Sequence, residues 1–203
     1  DRGGLGHDPA GTRRANLGSR RRQLSGHNGP HRIMAGIFGQ EPGLKPIWSS
    51  NARGWLLVQG VPFHVESRDP LVDPLDLLIR LQENSLDLNK LEGAFTLVTW
   101  DQKEKKALVF GDQVGTLQTF YGQVRGCSYV SSTSLLAAKA LGLGINPAGV
   151  REFFGRGCIN APNTLFSGMS CLDVGLHVQF QDNKFQTRRH WELIRDINRM
   201  SFG

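Results

Sequence analysis

GAFTLVTWD (93–101), ALVFGD (107–112), LQTFYG (117–122) and CSYVSST (127–133) follow one another with only short Gly-, Asp- or Lys-containing breaks. Val, Phe, Thr, Tyr and Trp fit a pleated, half-buried surface, and the breaks carry turn residues, so the four segments predict an antiparallel meander. Working back toward the N-terminus, WLLVQGVPFHV (55–65) predicts a strand, a Gly-Pro-marked turn and a second short strand. In Asp73-Pro74-Leu75-Asp76-Leu77-Leu78-Ile79-Arg80-Leu81, an Asp cap and a first-turn Pro precede Leu75, Leu78, Ile79 and Leu81 at near-helical spacing, which predicts a helix start. Working forward, SLLAAKALG (134–142) predicts a helix capped by Ser134 and ended by Gly142, and PAGVREFFGRG (147–157) predicts a second helix, with Phe153 and Phe154 in the core. GLHVQFQ (175–181) and KFQTRR (184–189) predict a hairpin turning at Asp182-Asn183, and MAGIFG (34–39) suits a buried strand. Strands in runs and helices in pairs indicate an α+β domain with layered sheets.

Composition narrows the function classes. The 203 residues can bury one good core, and no stretch approaches the roughly 18 consecutive apolar residues of a membrane span. The first thirty residues lack the apolar segment of a secretory signal, so a soluble, cytoplasmic protein is expected. Cys127, Cys158 and Cys171 are odd in number and lack C-x-x-C spacing, which indicates neither a disulfide framework nor a metal site. The net charge of +6 would suit a nucleic-acid partner, but residues 1–33 hold +5 of it and the rest of the chain is nearly neutral. That leader is Gly- and Arg-rich with few apolar residues, so it reads as a disordered basic arm or as upstream sequence before Met34. Its Arg20-Arg21-Arg22 cluster has no interleaved aromatics, so nucleic acid is not the expected partner. His64, His177 and His190 have no carboxylate or Cys at telling spacing and read as ordinary surface or core residues.

The order of short motifs carries the reading further. Leu91-Glu92-Gly93-Ala94-Phe95 through Trp100-Asp101 is followed by Asp112-Gln113-Val114-Gly115 through Phe120-Tyr121, then Ser131-Ser132 before a Leu-Ala helix. Thr164-Leu165-Phe166-Ser167-Gly168-Met169, Leu172 to Gly175, and Arg189-His190-Trp191-Glu192-Leu193 complete the series. In this order the segments resemble the glutaminase half of asparagine synthetases and related class II glutamine amidotransferases. The resemblance spans residues 34–193 and implies an Ntn-hydrolase-like αββα sandwich, two antiparallel sheets between helical layers. Residues 194–203 would then begin a linker to a synthetase domain.

The resemblance also implies a chemistry, and it implies its loss. Glutamine-hydrolysing members begin M-C-G-I-x-G; the thiol of the exposed N-terminal Cys attacks the side-chain amide and its own α-amine, with a pKa of about 8, serves as base. Here the segment is Met34-Ala35-Gly36-Ile37-Phe38-Gly39, and Ala35 offers no nucleophile. The family's Asn-Gly oxyanion pair has its nearest equivalent in Gln59-Gly60, where the longer side chain moves the amide donor by about one bond, a shift that matters at oxyanion geometry. Asp73 fits the carboxylate that holds the substrate α-amino group, and the arginine segment that would clamp the substrate carboxylate is missing. The bland readings are that Gly60 permits a turn and Asp73 caps a helix.

No cofactor is expected in this chain. ATP and Mg²⁺ belong to a synthetase domain with an S-G-G-x-D-S loop, in the same longer protein or a separate subunit, and that loop is absent from the sequence. Three functions stay open at this point: a degenerate structural half of an ATP-dependent amide-forming enzyme, an authentic glutamine-hydrolysing asparagine synthetase whose Cys has been replaced, and a free-standing binding or regulatory domain.

Overall fold

Asp101 and Asp112, the acidic residues that close the two central strands, show how this chain becomes a sandwich. The computed structural model describes residues 23–26, 33–36, 46–64, 73–182 and 184–191. The chain falls into two compact units, residues 1–41 and 42–203. In the first, β1 (Gln23–Gly26) pairs antiparallel with β2 (Ile33–Gly36), placing Ala35 opposite Leu24. The rest of the basic leader, the remainder of MAGIFG and residues 194–203 lie outside the described residues. Strand β1 falls within the stretch read as disordered; backbone pairing does not require the apolar side-chain pattern on which that reading rested.

The second unit builds two antiparallel sheets. The larger is ordered β11-β10-β6-β5-β4-β3, from β3 (Ile47–Asn51), β4 (Gly54–His64), β5 (Leu91–Asp101), β6 (Lys106–Gly111), β10 (Leu176–Gln181) and β11 (Lys184–Arg189). The smaller is ordered β8-β7-β9, from β7 (Phe120–Val124), β8 (Cys127–Ser131) and β9 (Met169–Cys171). The helices are α1 (Pro74–Gln82), α2 (Ser134–Leu141) and α3 (Pro147–Arg156).

Side-chain alternation gives the layers. In β6, Phe110 joins Leu56, Val58, Leu97 and the α1 residues Leu77 and Leu78, whereas its neighbour Val109 joins Tyr121 of β7 and Val178 and Phe180 of β10. In β7, Tyr121 faces that inter-sheet core, and Phe120 turns the other way to Met169, Ala137 and Ala138, the last two on α2. The order is therefore helix, sheet, sheet, helix, the α+β layering expected from the sequence.

Several local expectations differ from the structure. The meander breaks after β6: β7 and β8 cross into the second sheet, and β10 returns to take the place beside β6. Strand propensity does not specify a partner, so only the packing separates them. Residues 54–64 form one strand instead of two, because Gly60 at φ +85 and Gly93 at φ +108 let β4 and β5 run past each other closely: a Cβ on Gly93 would come 2.2 Å from the Val61 carbonyl oxygen. Helix α1 buries Leu77 and Leu78 and leaves Leu75 and Ile79 exposed. The N-cap of α2 is Thr133, which makes no side-chain capping bond, rather than Ser134. Phe153 and Phe154 are 45% and 82% exposed, so they are not core residues: α3 meets the domain through Gly149, where a Cβ would lie 2.2 Å from the Thr164 carbonyl oxygen, and the far end of the helix projects outward.

Two edges of the larger sheet differ in kind. Strand β11 is exposed throughout and carries Lys184, Arg188 and Arg189, charges that blunt pairing with another chain. Strand β3 is held on its inner side by Trp48 stacked on Trp55 at 4.9 Å. No described helix is long and apolar enough to cross a membrane.

Candidate functional site

Gln59 lies in β4 between Val58, which faces α1, and Gly60, so its side chain projects from the opposite face, toward the second sheet. Its register partner in β5 is Thr96. Thr96 is 5% exposed and Thr119, just before β7, is 2% exposed; their hydroxyl oxygens lie 2.9 Å apart, a hydrogen bond that ties the two sheets together beside Gln59. Gln59 itself makes no side-chain hydrogen bond among the described residues.

Gly60 sits opposite Phe95 and close against two neighbours: a Cβ there would come 2.0 Å from the Ala94 carbonyl oxygen and 3.0 Å from Leu117 Cδ1. The glycine is required by strand contact as well as by its positive φ, and the Leu117 side chain lies over it. No turn is present at Gly60, which corrects the bland reading of that residue while keeping its backbone logic.

Asp73 is the N-cap of α1, its carboxylate accepting the Leu75 N–H at 2.8 Å. That helix packs on the α1 face of the larger sheet, and Gln59 projects from the other face, so no hydrogen bond joins Asp73 to the Gln59-Gly60 pair. The structure therefore brings Gln59 and Gly60 together and gives Asp73 a capping role. Ala35 stands in the hairpin of the first unit.

The thiols of the described residues are three, and none has the setting of an N-terminal nucleophile. Cys127 is exposed within β8 and Cys158 is exposed just beyond α3; both are internal residues with no α-amine to act as base. Burial pushes the Cys171 thiol above its usual range, reinforced by the charge of Asp173, so it stays protonated near neutral pH. Among the described residues no group of three or more His, Cys, Asp or Glu side chains is placed to hold a metal ion. A cavity of about 200 Å³, lined by Arg53, Leu78, Gln82, Thr99 and Asp101 among others, lies on the α1 side at the Gly54 end of β4. It is six residues along the strand from Gly60, roughly 20 Å away.

The motif residues that made the sequence readable are architectural. Asp101 accepts the Lys103 and Glu104 N–H groups at 2.9 and 3.0 Å and pairs with Arg53 Nε at 2.8 Å, closing the β5–β6 turn. Asp112, 2% exposed, accepts the N–H groups of Phe95, Val114 and Thr116 and the Thr116 hydroxyl, and so shapes the loop from β6 toward β7.

Residues 77–191, more than half the chain, match the glutamine amidotransferase domain family. The chain belongs to that family. No curated protein matches it. The matched span of this amidotransferase domain begins in α1, so it takes in both architectural aspartates and leaves out Ala35, Gln59, Gly60 and Asp73. The chemistry of those positions thus rests on the resemblance and on geometry.

Sequence reasoning did not find the Thr96–Thr119 tie, because a hydroxyl pair 23 residues apart leaves no periodic signal. Thr96→Val is expected to cost about 2 kcal/mol by stranding the buried Thr119 hydroxyl, and the double variant Thr96→Val/Thr119→Val about 1 kcal/mol, less than either single change. Urea unfolding of the singles and the double checks this; strictly additive losses would mean the two hydroxyls do not interact.

Proposed function

We propose that this amidotransferase domain is of the asparagine synthetase type, does not hydrolyse glutamine, and serves as the structural half of an ATP-dependent amide-forming enzyme. Ala35 carries the reading: at the position where the resemblance requires a thiol, it has nothing that can attack an amide carbon. The other positions named by the resemblance favour erosion of the whole glutamine site over loss of a single atom. Gln59 is longer than the family's Asn, Leu117 covers Gly60, and the Asp73 carboxylate is engaged by the Leu75 N–H. The partner is a synthetase domain that binds ATP and Mg²⁺, in the same polypeptide or as a separate subunit, and the working compartment is the cytoplasm.

An authentic synthetase with one replaced Cys and an eroded scaffold give opposite results in one assay. The variant Ala35→Cys, produced so that residue 35 is the N-terminus, is expected to release no ammonia from glutamine above the level of the unsubstituted protein. Ammonia release restored by that change would overturn the scaffold reading and identify a working site lacking only its nucleophile.

A further inference from the structure

His177 and His190 were unremarkable in the sequence, yet the fold brings them together. His177 is the second residue of β10, in register with Phe110 of β6 on one side and Arg188 of β11 on the other. His190 follows β11, where the chain folds back: the N–H groups of His190 and Trp191 both donate to the Gly175 carbonyl, at 2.9 and 3.3 Å. Gly175 has φ +66, and a Cβ there would come 2.3 Å from the Trp191 carbonyl oxygen, so this return is possible only at a glycine.

The two imidazoles lie 5.8 Å apart between ring centres and share Phe110, which is 5.1 Å from His177 and 6.2 Å, edge-on, from His190. The Nδ1 atom of each ring is buried without a hydrogen-bond partner among the described residues. The charged groups acting on the pair are Arg188 on His177, and His177 and Arg189 on His190. No described carboxylate balances them: Asp112 is occupied by the 112–116 loop and the Phe95 N–H, and Asp173 acts on Tyr121 and Cys171.

We infer that His177 and His190 form a proton-operated latch: while both are neutral they hold His190–Trp191 down on Gly175 and Phe110, and protonation releases that segment. Two imidazolium ions at this separation, among an aromatic ring and two arginines, have no counter-ion among the described residues, whereas in the open form each ring takes up its proton in water. The latch thereby sets whether the chain continuing from Trp191 starts pinned to the larger sheet.

The sign of the pH dependence follows from the direction of the shifts. Burial holds both rings below the usual histidine range; for His190, burial with the added repulsion of His177 and Arg189 brings it down to about 4. The closed form binds protons less readily than the open one, so closure is complete above about pH 6.5 and is lost as pH falls from there toward 4. Across that window the closed-to-open ratio falls by up to about tenfold per pH unit for each ring.

The test is amide hydrogen exchange on the full chain, corrected for intrinsic exchange rate, together with NMR titration of the histidine rings. Expected is a loss of protection at His190 and Trp191 of at least about tenfold between pH 7 and pH 5 that follows the ring titration, with Leu97 and Val109 in the core unchanged. His190→Phe, which keeps the ring and removes the proton site, should retain Trp191 protection through pH 5, and His177→Phe should move the loss to lower pH. If His190→Phe does not fold, the unsubstituted chain still decides: rings that titrate while His190 and Trp191 stay protected overturn the latch. Loss of protection at the same pH in unsubstituted chain and variant, or simultaneous loss at Leu97 and Val109, would also overturn it.

Discussion

Asp112→Ala is expected to destabilise the domain by about 5 kcal/mol, the largest effect of any single substitution considered for this protein. The carboxylate is 2% exposed and accepts N–H groups from Phe95 at 3.3 Å, Val114 at 3.0 Å and Thr116 at 3.0 Å. Alanine leaves these donors without their acceptor, at roughly 1–3 kcal/mol each, partly offset where water reaches the loop. Such a loss is comparable to the whole stability of many domains, so the variant should sit near its unfolding midpoint without denaturant. Asp112→Asn keeps one acceptor oxygen and should lose about half as much. Urea unfolding at neutral pH measures both; an Asp112→Ala loss under about 2 kcal/mol would show that water replaces the carboxylate and that the loop does not depend on it.

Gly60→Ala should cost about 4 kcal/mol, and the loss has two separable parts. The φ of +85 penalises any L-residue by about 1–2 kcal/mol, and the new methyl would meet the Ala94 carbonyl oxygen at 2.0 Å, which forces β4 and β5 apart. Gly126→Ala isolates the first part, since Gly126 has φ +76 with nothing within 4 Å, and should cost about 1 kcal/mol. Thermal unfolding of the two variants gives the comparison. Equal losses would mean that strand contact contributes nothing at Gly60. A Gly60 cost this large accounts for a glycine at this position on architecture alone.

The strands and helices were legible because their signals are local. In GAFTLVTWD, Phe95, Leu97 and Thr99 recur at every second position among β-branched and aromatic neighbours, and all three are buried in β5, a period that a helix does not share. The Asp73-Pro74, Asn146-Pro147 and Gly142 boundaries carry capping chemistry in the residues themselves: Asp73 and Asn146 both accept N–H groups two residues on, and Gly142 is left-handed. The family was legible for a related reason. Gly93, Asp101, Asp112 and Gly115 each satisfy a backbone requirement of the fold that few other residues meet, so their order survives as a pattern.

What the chain's pattern could not supply was partnership. An amphipathic strand shows which side chains share a face and nothing about which sheet covers that face, so the division after β6 and the return of β10 were decided by packing. The same limit explains why Phe153 and Phe154, apolar by type, stand outside: burial depends on how closely α3 approaches, and only Gly149 makes that approach. It explains why two histidines with no motif between them end up against one phenylalanine, one tilted and one edge-on. Element type follows from short-range sterics and side-chain period, which each residue carries with it. Proximity across layers depends on the closing of the whole sandwich, and only there do the Thr96–Thr119 tie and the histidine latch acquire their chemistry.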